Sequence, residues 1–124
     1  MSEVLRGLVY EEVLTSLSYS IYVDNEKKGF WNLDAEGVGF SVDQKLLLIT
    51  GEVIEAHEEY RSNDDLSHVY YREDGKPEGF EFELADVLIR TLDLAGALGI
   101  DIGARVEEKL KFNRSRPHKH GRNF

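Results

Sequence analysis

ITGEVIEAHEEY, residues 49–60, and FEFELADVLIRTLDLAGAL, residues 80–98, share one design. Advancing about 100° per residue around a helix with Glu52 at zero, Ile49, Val53, Ala56 and Tyr60 fall in one arc, at roughly 40° to 100°. Glu55 and Glu59 lie beside Glu52 on the adjoining strip. With Glu83 at zero, Phe80, Leu84, Val87, Thr91, Leu94 and Leu98 occupy the matching arc, and Asp86 sits beside Glu83. Each segment is therefore expected to be a helix whose apolar face packs inward. In each, an acidic pair spaced three residues apart borders that face on the same side.

Working outward, the remaining elements are helical as well. Ser41-Val-Asp-Gln44 fits a capping box, in which the Ser and Gln side chains satisfy each other's backbone donors. The second helix is thus expected from there to about Arg61. Upstream, Val9, Val13, Leu17 and Ile21 recur every four residues, predicting a first helix that ends near Asp24-Asn25. A loop through Glu36-Gly37 follows it. Ser62 to Gly79 is polar, contains Asp-Asp, Asp-Gly and Lys-Pro, and reads as a connection in which His68-Val-Tyr-Tyr-Arg72 forms a short extended piece. The third helix starts near Gly79 and stops at Gly99. Asp101 caps a fourth, which runs to about Ser115 before Pro117. The expected fold class is all-α, a bundle of about four helices in one domain spanning residues 1–124, with a basic arm at 116–124. Four short helices leave apolar faces to cover, so dimerisation is expected.

Composition narrows the function classes. The 124 residues carry a net charge of −9 and no cysteine, which excludes disulfides, thiolate ligands and thiol nucleophiles. No apolar run approaches the roughly 20 residues needed to span a bilayer, and the N-terminus lacks a signal-peptide pattern. A cytoplasmic protein without a membrane partner is the expectation. From Arg105 to Phe124, seven Lys or Arg accompany two acids, so this end is net +5 and the rest −14. An acidic body of that charge is a poor general binder of the nucleic-acid backbone, so no nucleic-acid partner is expected.

Four carboxylates at the edge of a core repel one another, and cations relieve that repulsion. Glu52, Glu55, Glu83 and Asp86 are the candidate metal ligands, and an all-oxygen set suits Mg²⁺ or Mn²⁺. Other metal sites fit less well. No His lies three residues after any of these acids, as a di-iron bundle would require. A calcium loop starting at Asp24 has Gly29 at its sixth position but Ala35 where a bidentate Glu is needed. Cationic partners are present too. Lys109, Asn113 and Arg116 share one helical face that can hold a polyphosphate, which His120 and Arg122 would extend. Arg90, one turn after Asp86, either reaches phosphate or pairs with Asp86 or Asp93. Trp31 either stacks on a base, with Asn32 reading its edge, or plugs the bundle.

Taken together, LLLITGEVIEAHEEYR, GKPEGFEFELADVLIRTLDLAGALGIDI and EEKLKFNRSRPHKHGRNF resemble the MazG-like, all-α nucleoside triphosphate pyrophosphohydrolases, over about residues 29 to 124. The likeness includes both acidic motifs in order, the Gly-Ile-Asp link and the ending Lys-x-x-x-Asn-x-x-Arg-Pro-x-x-His-Gly. It implies Mg²⁺-dependent hydrolysis of a (deoxy)nucleoside triphosphate between the α and β phosphates, releasing a monophosphate and pyrophosphate. It also implies Glu52, Glu55, Glu83 and Asp86 as metal ligands, and Lys109, Asn113 and Arg116 as phosphate-facing positions. Glu52 or Glu55 would accept the proton of the attacking water. Many members carry Glu immediately before the first motif, where this chain has Gly51. A dUTPase-like or phosphoribosyl-ATP pyrophosphohydrolase activity is the neighbouring alternative, and a non-catalytic nucleotide-binding module is the alternative of a different class.

Overall fold

A computed structural model describes residues 2–32, 39 and 41–117. Among them are four helices, α1 (Glu3–Lys27), α2 (Val42–Ser62), α3 (Phe80–Ala97) and α4 (Ile102–Ser115), and one small antiparallel hairpin, β1 (Tyr70–Tyr71) with β2 (Pro77–Glu78). The helical architecture expected from the sequence is present. Lys109, Asn113 and Arg116 lie on α4 or at its C-cap, whereas His120 and Arg122 fall outside the described residues.

Three helix starts are set by local side chains. Ser2 accepts from the Leu5 amide, Asp101 accepts from the Ala104 amide, and Ser41 with Gln44 completes the capping box. The start of α3 differs. Its N-cap is Gly79, at φ 134°, with no side-chain cap. A Cβ there would lie 2.5 Å from the His68 carbonyl oxygen, so only glycine fits beneath the incoming loop. At the other end of α3, Gly99 takes φ 68° and lets the chain turn directly into α4. α1 runs on to Lys27, past the expected stop at Asp24-Asn25. Asp and Asn lower helix propensity without terminating a helix that tertiary packing supports.

α3 is the central helix, packing against α1 on one side and α2 on the other, while α4 packs on α1. Leu92, Asp93, Leu94 and Ala95 are consecutively buried for that reason, since both flanks of α3 are covered. Close helix approach is made possible by small residues. Gly96 of α3 faces Ser18 and Tyr22 of α1, and Gly103 of α4 faces the Glu11 backbone. Ser18 is 1% exposed and donates its hydroxyl to the Leu92 carbonyl at 2.6 Å.

The inward face of α2 is not the expected one. Lys45, Ile49, Glu52, Ala56 and Glu59 face inward, while Val53 and Tyr60 are exposed. The helix is turned by roughly 50° toward its acidic strip relative to the apolar arc. Leu84 and Leu98 of α3 are likewise exposed rather than buried. Glu52 and Glu83 thus sit inside the α2–α3 seam instead of at its edge, while Glu55 stays exposed. A Cβ added at Gly51 would meet nothing within 4 Å. Gly51→Ala is therefore expected to raise stability by about 1 kcal/mol through helix propensity alone, checked by urea denaturation.

Candidate metal centre

Glu52 on α2 and Glu83 in the first turn of α3 are 8% and 4% exposed. Buried carboxylates at this level need partners. Each has one: Arg90 Nε donates to Glu52 Oε1 at 2.7 Å, and Glu83 meets carboxyl groups of its neighbours. Yet Glu52 Oε2 and Glu83 Oε2 are both buried without any hydrogen-bond partner among the described residues. Oxygens of Glu52, Glu55 and Glu83 all lie within 4.8 Å of one another. Three acids converge and two of their oxygens are orphaned, so the donor set fits a hard divalent cation.

The electrostatics follow from this crowding. Burial, with Glu52 and Glu55 alongside, pushes the Glu83 carboxyl up to about 8 from an ordinary 4.5. Burial also opposes ionisation of Glu52, but the Arg90 guanidinium, with Glu83 and Glu55 as hydrogen-bonding neighbours, outweighs it and holds Glu52 below its ordinary value. Asp86 is raised, first by burial and then by the negative charge of Glu52. A protonated Glu83 beside an ionised Glu52 is thus the ion-free arrangement.

Asp86 stands apart from the Glu52–Glu55–Glu83 triad. It lines a neighbouring cleft of about 390 Å³ with Glu52, Lys45, Lys76, Arg90, Asp93, Asn25, Phe30, Leu48 and Ile89. Arg90 pairs with Glu52, neither with Asp86 nor with Asp93 as the helical spacing suggested. The spacing argument considered only partners on the same helix, whereas the closest carboxylate comes from α2. Trp31 is partly buried and donates Nε1–H to Asp93 at 3.0 Å. The Lys45 ammonium lies 4.0 Å from its ring centroid, and Tyr22 meets it edge-on at 5.8 Å. Lys109 and Arg116 flank Phe112 on the exposed face of α4, and Lys109 lines a separate surface cavity with Arg105, Glu108 and Phe112. Within one chain the acidic triad and that basic strip belong to different helix pairs.

Sequence reasoning passed over Lys45, Lys76 and Phe30, and named Asp93 only as a partner for Arg90. Lys45 was within reach, since it lies seven residues before Glu52 and so on the same face of α2. Lys76 comes from the hairpin connection, whose path the spacing of residues does not reveal. Comparison of the chain with family models, with curated proteins and with solved structures finds no match.

Proposed function

We propose that this chain is a divalent-metal-dependent nucleoside triphosphate pyrophosphohydrolase of the MazG-like kind, working as a homodimer or homotetramer. The observation that carries the reading is the convergence of Glu52, Glu55 and Glu83 from α2 and α3, with one oxygen of each within 4.8 Å of the others, while Glu52 and Glu83 each keep a buried oxygen without a hydrogen-bond partner. An internal cluster of this kind is costly unless a cation completes it. Mg²⁺ or Mn²⁺ would supply charge to hold triphosphate oxygens and acidify the attacking water.

The chain's own residues would do the rest. Glu52 and Glu83 anchor the ion from two helices, and Glu55, exposed at the mouth, accepts the proton of the water attacking the α phosphorus. Asp86 adds a fourth carboxylate at the neighbouring cleft. Lys45, Lys76 and Arg90 line that cleft and can offset the charge of the leaving pyrophosphate. Phe30, 54% exposed on the same wall, offers an apolar face for a base. The α4 strip of Lys109, Asn113 and Arg116 would reach a triphosphate bound by a neighbouring copy. Assembly is supported by the exposure of Val53, Ile54, Tyr60, Leu84 and Leu88 on α2 and α3.

The test is to incubate the protein with each common NTP and dNTP, with Mg²⁺, Mn²⁺ or a chelator, and to identify the products. Monophosphate and pyrophosphate released only with metal, and lost in Glu52→Gln and Asp86→Asn, are the expected outcome. Release of a diphosphate and single phosphate would overturn the bond assignment. Absence of turnover with every nucleotide would leave a binding module.

A pH dependence accompanies this reading. Glu83 holds a proton up to about pH 8, and an ion must displace it. Mn²⁺ affinity is therefore expected to rise about tenfold from pH 6 to 7 and to level off above 8, measured by calorimetric titration. In the ion-free protein the sign is reversed for folding. The native state binds this proton and the unfolded chain does not between 4.5 and about 8, so stability falls as pH rises through that window.

A further inference from the structure

Glu83 belongs to a second acidic triad. Its carboxylate also lies with those of Glu59 and Glu78 such that one oxygen of each is within 4.8 Å of the others. Glu59 comes from α2, one turn beyond Glu55, and Glu78 from β2 of the hairpin. We infer that the chain carries a second divalent-cation site, formed by Glu59, Glu78 and Glu83, with Glu83 as the ligand shared between the two sites. The inference rests on the metal reading of the first triad.

Three observations support it beyond the clustering of acids. The shared ligand is 4% exposed and its Oε2 has no hydrogen-bond partner, so the triad contains a buried oxygen that lacks a positive or donating neighbour. A carboxylate has two oxygens, and a residue flanked by acids on two sides can turn one to each. The other two ligands are held in place. Tyr70 donates its hydroxyl to Glu59 Oε1 at 2.7 Å, and Lys76 and Arg72 reach Glu78 Oε1 at 3.4 and 3.6 Å. Outer contacts of this type orient metal ligands and are part of a built site. Finally, the triad opens onto a cleft of about 350 Å³, which Glu55 of the first triad also lines and where five glutamates, at 55, 58, 59, 78 and 83, outnumber Arg72 and Lys76. The hairpin cations therefore leave negative charge that a hard cation can neutralise.

The hairpin thereby acquires a task. β1 supplies the Tyr70 that fixes Glu59, and β2 supplies Glu78 itself. The segment between α2 and α3 completes a cation site that the two helices alone would leave one ligand short.

The test counts ions rather than turnover. Chelator-treated protein is titrated with Mn²⁺, and free Mn²⁺ is followed by electron paramagnetic resonance. Two ions per wild-type chain are expected. Glu59→Gln and Glu78→Gln, made separately so that a folding defect in one does not decide the matter, should each bind one, the other site being weakened at least about tenfold. Glu52→Gln should also bind one, and Glu83→Gln should weaken both. Circular dichroism checks that each variant is folded. Wild-type number and affinity in both Glu59→Gln and Glu78→Gln would overturn the second site. If a single ion binds and is lost in Glu52→Gln alone, the proposed function stands and this inference falls. If the wild type binds no Mn²⁺, both fall.

Discussion

Glu83→Gln is expected to abolish hydrolysis while making the ion-free protein more stable. The amide keeps the shape of the side chain but cannot ionise. Removing a mere outer partner of a metal ligand commonly costs 10- to 100-fold, so loss of a direct ligand should exceed about 100-fold in kcat/KM. The stability change has the opposite sign. Wild-type Glu83 must lose its proton above about pH 8, where burial beside Glu52 and Glu55 opposes the charge. The amide carries no such penalty and can still donate to its neighbours, as the protonated acid does. Melting in chelator at pH 8 should rise by roughly 5 °C, and the difference should vanish below about pH 4.5, where the acid is neutral in both the folded and the unfolded chain. A variant that lost activity through unfolding would show lower melting at both pH values. The paired result separates a group placed for chemistry from one placed for packing.

The second large effect is structural. Gly103→Ala is expected to destabilise the protein by about 3 kcal/mol and to lower its melting temperature by roughly 10 °C. The new methyl would fall on the Glu11 carbonyl oxygen and within 2.5 Å of the Glu11 Cα, and backbone atoms cannot turn aside as a side-chain tip can. To accommodate it, α4 must move away from α1. That movement would break the Gly103 amide bond to Thr15 Oγ1 at 3.1 Å and the Thr15 hydroxyl bond to Asp101 Oδ1 at 2.7 Å. Thermal melting of Gly103→Ala beside Gly51→Ala is an internal comparison. The same chemical change should destabilise at the crowded glycine and stabilise at the open one.

The helices were legible in the sequence because their signals are local. Ser41-Gln44, Asp101 and Gly99 act within a few residues of themselves, and each ends or begins a helix where the sequence indicates. The phase of the acids around α2 and α3 was also legible, and it brought Glu52, Glu55 and Glu83 to one place. The rotation of α2 was not. Apolar periodicity assigns Val53 and Tyr60 to the interior, on the assumption that one chain buries its own apolar surface. Here those residues are exposed and a glutamate paired with Arg90 takes the inward position. Partners from distant segments were similarly hidden. Arg90 bridges 38 positions to Glu52, and Trp31 bridges 62 to Asp93. The contribution of Glu78 depends on a hairpin whose pairing, Tyr70 with Glu78 and Tyr71 with Pro77, no helical pattern encodes.

The start of α3 has a consequence for the order in which the molecule assembles. α1, α2 and α4 each carry a side-chain cap that can form as soon as the adjoining turn does. α3 has none, and its first residue follows a glycine pressed beneath the His68 carbonyl. Its N-terminal turn, which holds Glu83, can be fixed only after the loop closes over it, and loop closure precedes the contacts that reward it. The middle of α3, buried on both flanks, can form earlier as part of a folding nucleus with α1 and α2. The carboxylate cluster is then completed late in folding, so the chain passes through most of its collapse before like charges are forced together.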